Sequence, residues 1–305
     1  MRHLSLGFAI QAVALWPGIF NGTYAGAQAA RSSGAAAKPA PANPVNFKGS
    51  EKCATCHGEV LKKFSGNPHA KPGLQHSGKG VTCASCHGAG QAHVESGGEK
   101  AKILDLASAS PEQVDETCLT CHAGAHPNFL RSPHAKAEVS CLGCHTVHQA
   151  APETALLKAG QPALCYQCHI DVKPAFAAPF HHKVDEGLIK CSDCHDAHGT
   201  FGDSQVKSTA DQNAACTKCH AETRGPFVYE HAVVKAEGCV SCHTPHGSQN
   251  ARLLKMPQIN TLCRQCHSPA VGTVHGHDPG STSAAPCISC HTKIHGSNVS
   301  QAFIQ

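Results

Sequence analysis

The chain has 305 residues, a formal net charge of +4 at neutral pH and only 5% aromatic side chains. Its single tryptophan is Trp16, it has two methionines, and much of its 41% hydrophobic content is alanine and cysteine. That composition excludes a conventional large apolar core, and no charge pattern points to nucleic acid.

In chain order, residues 1–29 read as a secretory signal peptide. Arg2 supplies the positive start, and residues 4–20 are apolar apart from Ser5 and Gln11. Ala25-Gly26-Ala27 and Ala27-Gln28-Ala29 offer small-residue cleavage patterns, placing the cut near 27–29. An uncleaved anchor is the alternative; Gln11 and the Pro17-Gly18 break count against it. Residues 30–46, rich in Ala, Pro and Ser, read as a flexible leader without folded structure. No later stretch is apolar enough to span a bilayer.

The rest of the chain, 47–305, holds all 20 cysteines, each in a Cys-x-x-Cys-His pentad. The cysteine pairs are Cys53 and Cys56, Cys83 and Cys86, Cys118 and Cys121, Cys141 and Cys144, and Cys165 and Cys168. They continue with Cys191 and Cys194, Cys216 and Cys219, Cys239 and Cys242, Cys263 and Cys266, and Cys287 and Cys290. The histidines closing them are His57, His87, His122, His145, His169, His195, His220, His243, His267 and His291. Thiols three residues apart on one helical turn add to the two vinyl groups of one porphyrin, and the following histidine binds its iron from below. Zinc sites do not require a histidine after each second cysteine, and disulfides need neither that spacing nor the histidine. Thioredoxin-like redox pairs need a βαβ setting that is missing here. The cofactor set is therefore ten haem c groups, covalently attached.

With so many haems the fold class expected is a multihaem cytochrome c. Loops and short α-helices at the pentads would wrap a stacked haem chain, with almost no β-structure, and the haems would supply the core. Charge shifts too. Losing the signal removes Arg2 and no acid, leaving 24 basic and 21 acidic side chains. Ten ferric haem cores with ionised propionates then bring the mature protein to about −7.

The spacing of the pentads suggests a two-haem repeat. Five repeats, at about 47–110, 111–160, 161–210, 211–258 and 259–305, each run pentad, linker histidine, pentad, trailing histidine. The linker histidines are His69, His134, His182, His231 and His275; the trailing ones are His93, His148, His198, His246 and His295. These ten are the expected distal iron ligands, with His181 and His277 as alternatives to His182 and His275. A histidine three residues after a proximal one, such as His148 after His145, cannot reach the opposite face of the same ring. It should ligate a neighbouring haem. The surplus is His76, His126, His181 and His277, and an isolated surplus histidine is expected to face solvent. Met256 is an unneeded alternative ligand. Two imidazoles per iron leave no open coordination site, so the chain reads as an electron-transfer protein, not an enzyme, with no catalytic residue.

The stretch CHAETRGPFVYEHAVVKAEGCVSCHTPHGS (219–248), with CSDCHDAHG (191–199) and CISCHTKIHGSN (287–298), resembles the MtrA/DmsE-type periplasmic decahaem c-type cytochromes. The resemblance covers 47–300 with all ten pentads in order. It implies an elongated bis-His haem wire on the periplasmic side of the outer membrane, associated through a β-barrel porin partner. It also implies a periplasmic or inner-membrane cytochrome partner and exchange with an outer-surface redox protein and extracellular iron. Other members resemble soluble periplasmic donors to terminal reductases, such as a DMSO-type reductase. Direction of electron flow is not legible in the residues.

Overall fold

Glycine and proline, 28 and 19 of the 305 residues, interrupt the chain too often for long elements. The computed structural model describes residues 50–71, 81–149, 153–207, 211–268 and 285–304. All belong to the unit Pro44–Gln305. The expected signal peptide and leader, and His76, His275 and His277, lie outside the described residues.

Helices form where the pentads are. Cys83–His87, Cys141–Cys144 and Cys191–Cys194 are single α-helical turns, and Cys239–Ser241 and Cys287–Ser289 are 3-10 turns. The two long helices among the described residues, Glu51–Phe64 and Pro111–His122, also carry pentads. The second starts cleanly because Pro111 occupies the first turn and Ser110 and Gln113 cap each other's backbone amides. The first loses helical geometry at His57, where φ is −109° and ψ is 35°.

The protein interior is sparse. Among the described residues the buried apolar side chains are Ala70, Val114, Phe129, Phe176, Ala178, Val184 and Leu262. As many polar ones are buried, including Ser50, Asn67, Asp115 and Asn213. No described buried side-chain polar atom lacks a hydrogen-bond partner. Polypeptide hydrogen bonds, more than apolar packing, set the chain's local geometry here.

Among the described residues the β-strands are four, each two residues long. They are β1 (Phe180–His181), β2 (Tyr229–Glu230), β3 (Gly247–Ser248) and β4 (Gly296–Ser297). β1 pairs antiparallel with β3, Phe180 facing Ser248 and His181 facing Gly247. β2 pairs antiparallel with β4, Tyr229 facing Ser297 and Glu230 facing Gly296. One step further along each ladder sets His182 opposite His246, and His231 opposite His295. Each miniature sheet thus joins the linker of one repeat to the tail of the next. Glycine is required at the crossing. A β-carbon on Gly247 would overlap the Ala175 carbonyl, and one on Gly296, whose φ is +149°, would overlap the Phe227 ring.

A second recurrent device follows three of the later pentads. The chain returns antiparallel to the proximal histidine, bridging His145 to Leu157, His195 to Val206 and His243 to Leu254. Each return passes through two consecutive left-handed residues: Ala155 and Leu156, Ser204 and Gln205, Arg252 and Leu253. None of the six is glycine, so the backbone pays a conformational cost at each turn.

Candidate haem-ligand array

Each return aims one backbone carbonyl at a proximal imidazole. His145 Nδ1 donates to Ala155 O, His195 Nδ1 to Ser204 O and His243 Nδ1 to Arg252 O, all at 2.8 Å. His87 Nδ1 reaches Leu104 O at 2.8 Å, and His291 Nδ1 reaches Ala302 O. All five are the second proximal histidines of their repeats. A carbonyl only accepts, so Nδ1 carries the hydrogen and Nε2 keeps its lone pair for a metal. The sequence reading missed these returns. Their signal was present as TALLK at 154–158, DSQVK at 203–207 and ARLLK at 251–255.

The imidazoles meet two by two. His57 faces His93 with ring centroids 6.3 Å apart, His87 faces His148 at 5.7 Å, and His122 faces His69 at 5.9 Å. His145 faces His198 at 6.0 Å, His169 faces His134 at 6.0 Å, and His195 faces His246 at 5.9 Å. His220 faces His182 at 6.3 Å, His243 faces His295 at 6.3 Å, and His267 faces His231 at 6.0 Å. Each pair joins one proximal histidine to one of the distal candidates. Imidazole–metal bonds of about 2.0 Å on both sides of one ion, as in zinc sites, set ring centroids about 6 Å apart. The described residues thus fit an iron held between each pair. No group of three or more His, Cys, Asp or Glu converges on a metal-sized site among them. The tenth proximal histidine is His291; the remaining distal candidate, His275 or its alternative His277, lies outside the described residues.

The pairs cross repeat boundaries. A linker histidine faces the first proximal histidine of the next repeat, as His69 faces His122 and His182 faces His220. A trailing histidine faces the second proximal histidine of the previous repeat, as His148 faces His87 and His246 faces His195. His93 stays within the first repeat.

Linker imidazoles are anchored as well. His134 Nδ1 donates to Ala197 O at 3.0 Å and His182 Nδ1 to Pro245 O at 2.6 Å. Each acceptor precedes a trailing histidine. Asn67, fully buried, does this for His69: its Oδ1 lies 2.9 Å from His69 Nδ1, and its amide donates to Val147 O and Gln149 O at 2.9 and 3.0 Å. Burial holds His69, His148, His198, His231, His246 and His295 below the usual imidazole range, with the facing histidine adding to the effect in each. Low proton affinity favours the neutral, metal-binding form.

Two surplus histidines are placed by the structure. His181 uses both ring nitrogens elsewhere, Nδ1 on Ala178 O at 2.6 Å and Nε2 on Glu186 Oε1 at 3.0 Å. The geometry therefore favours His182. His126 departs from the expectation of solvent exposure. It is half-buried, its ring 3.9 Å from that of His198. Its ring also lies 6.2 Å from His122, but that spacing comes from one helical turn, its amide donating to His122 O at 3.0 Å. Met256 Sδ accepts from Gln265 Nε2.

The cysteines show the order of the array. None of the 20 forms a disulfide. Within repeats, the leading thiols of the two pentads interact: Cys53 with Cys83, Cys118 with Cys141, Cys165 with Cys191, Cys216 with Cys239 and Cys263 with Cys287. Across boundaries, Cys86 neighbours Cys118 and Cys121, Cys144 neighbours Cys168, Cys194 neighbours Cys216 and Cys219, and Cys242 neighbours Cys266. Every pentad therefore adjoins the next, in chain order.

Pentads with paired imidazoles on short helices and loops define a multihaem c-type cytochrome, a class that transfers electrons. The comparisons with known proteins agree. The doubled CXXCH motif family matches residues 133–174, 181–225 and 231–272. The multihaem cytochrome MtrA of Shewanella baltica (strain OS185) is 34% identical over 82% of this chain and 79% of its own length. The C-type polyhaem cytochrome OmcC of Geobacter sulfurreducens (strain ATCC 51573 / DSM 12127 / PCA) is 25% identical over 80% of this chain, which spans 37% of that protein. The chain belongs to the MtrA family of multihaem cytochromes. Among the described residues no helix is long and apolar enough to cross a membrane.

Proposed function

We propose that the ten pentads carry ten haems, each closed by two imidazoles. In the nine pairs above, the partner of each proximal histidine is its distal ligand; the tenth iron, at His291, takes His275 or His277. Haem supplies a one-electron couple at iron. The protein's part is to hold both axial positions, fix the imidazole tautomers through carbonyl acceptors, and keep substrates off the metal. This makes the chain a wire and not an enzyme.

The observation that carries this reading is continuity: each pentad adjoins its successor, and imidazole pairs bind successive repeats together. Such a wire serves best where electrons must travel a distance. Similarity to MtrA over most of both chains, and the signal-like start, support a periplasmic position at the outer membrane. There the chain would pair with a β-barrel porin and exchange electrons with a cytochrome donor and an outer-surface acceptor, with extracellular iron as the terminal partner.

Affinity purification from outer-membrane fractions tests this. A stoichiometric β-barrel partner is expected. Recovery solely as a free periplasmic monomer, in cells that still exchange electrons with external iron, would overturn the conduit and leave a soluble carrier to a terminal reductase.

A further inference from the structure

Each repeat uses one side chain, placed just before its first pentad, to cap the helical turn of its second. Ser50 Oγ accepts from the Cys83 amide at 3.2 Å, and Asn213 Oδ1 from the Cys239 amide at 2.9 Å. Asn260 Oδ1 accepts from the Cys287 amide at 2.8 Å, and Gln161 Oε1 from the Ser192 amide at 2.9 Å. The second repeat places an acid there. Asp115 Oδ1 accepts from the Cys141 amide at 2.9 Å and lies 3.1 Å from Cys141 Sγ. Asn213 makes the same two contacts, 2.9 and 3.2 Å to the Cys239 amide and sulfur, without a charge.

We propose that Asp115 sets the reduction potentials of the two haems of the second repeat below those of repeats capped by a neutral side chain. A carboxylate stabilises the extra positive charge of ferric iron relative to ferrous. Asp115 is 3% exposed, so water screens it little. Asp185, Asp193, Asp211 and Glu237, the acids acting on the cysteines of the third and fourth repeats, are all exposed. The Asp115 carboxylate acts on both Cys141 and Cys118, the leading attachment sulfurs of the repeat's two pentads. In the loaded protein these sulfurs are thioethers, and Asp115 keeps the Cys141 amide as its donor.

The inference rests on haem attachment at these pentads and not on a conduit role. The test is a spectroelectrochemical titration of the holoprotein after its haem content per chain is measured. Asp115→Asn keeps the cap, as Asn213 and Asn260 show, and removes only the charge. Two of ten haems should shift upward, by on the order of tenfold in their reduction equilibrium, the effect of one charge about 10 Å away at an effective dielectric of about 20. Asn213→Asp should shift two haems the other way. Superimposable titrations of fully loaded Asp115→Asn and parent protein would overturn the proposal. If Asp115→Asn fails to load, Asn213→Asp decides alone: a downward shift supports the proposal and an unchanged curve refutes it. Fewer than ten haems in the parent would instead count against the wire.

Discussion

Between the third and fourth repeats, His182 donates directly to the Pro245 carbonyl, beside the strand pair Phe180–His181 and Gly247–Ser248. Between the first and second, His69 reaches the Val147 segment only through Asn67, and no strand pair forms there among the described residues. The requirement is the same at both boundaries. A linker imidazole must be held against the chain that carries the next trailing histidine. Where a glycine follows that histidine, as Gly247 follows His246, the two backbones touch and a carbonyl does the work. At the first boundary Gln149 follows His148, and the buried Asn67 amide links the two segments with bonds in both directions.

The sharpest break of that comparison is Gly247→Val. Its side chain would overlap Ala175 O, and neither backbone can retreat without unseating His182 and His246. We expect a loss of more than about 4 kcal/mol, at the exceptional end for one substitution, and failure to accumulate fully loaded protein. Haem content per chain measures it. The bridged boundary should tolerate more. Asn67→Ala strands the Val147 and Gln149 carbonyls and removes the partner of His69, a cost of about 2–3 kcal/mol. Chemical denaturation followed at the haem absorbance should show the midpoint fall with ten haems still attached.

Next come the adjacent histidines of the direct boundary. His182→Ala should convert one haem in ten to a high-spin ferric signal, whereas His181→Ala should leave the spectrum unchanged. The reverse result would exchange their roles. The smallest effect belongs to Glu186, which His181 and Lys183 hold at about 2, below its usual 4.5. A depressed carboxylate contributes above its ordinary range and loses that contribution as pH falls from 4.5 towards 2. Glu186 is exposed, so Glu186→Gln should leave the thermal midpoint at pH 7 within error and flatten its slope only in that acid window.

The pentads and their doubled spacing are legible because Cys-x-x-Cys-His is a strict local pattern, and the remaining histidines supply the distal candidates proposed above as ligands. The loop-dominated fold followed from composition, and short helices at the pentads are what the structure shows. Partner assignment was not legible. Linker histidines pair forwards and trailing histidines backwards, so His182 meets His220 and His246 meets His195. A count of histidines within one repeat cannot reveal a crossing between two. His181 and His182 were inseparable by spacing; only the hydrogen bonds of His181 to Ala178 and Glu186 distinguish them. The carbonyl returns escaped notice because the turn is a property of backbone angles at Ala155, Ser204 and Arg252, which are unremarkable as residue types.

The proposed wire places two imidazoles on every iron. Near-infrared magnetic circular dichroism of the oxidised holoprotein, scaled to haem content, tests it most directly. Ten low-spin haems per chain are expected, all with the charge-transfer band of bis-imidazole ligation. A high-spin fraction, or a band at the energy of histidine–methionine ligation, would contradict it.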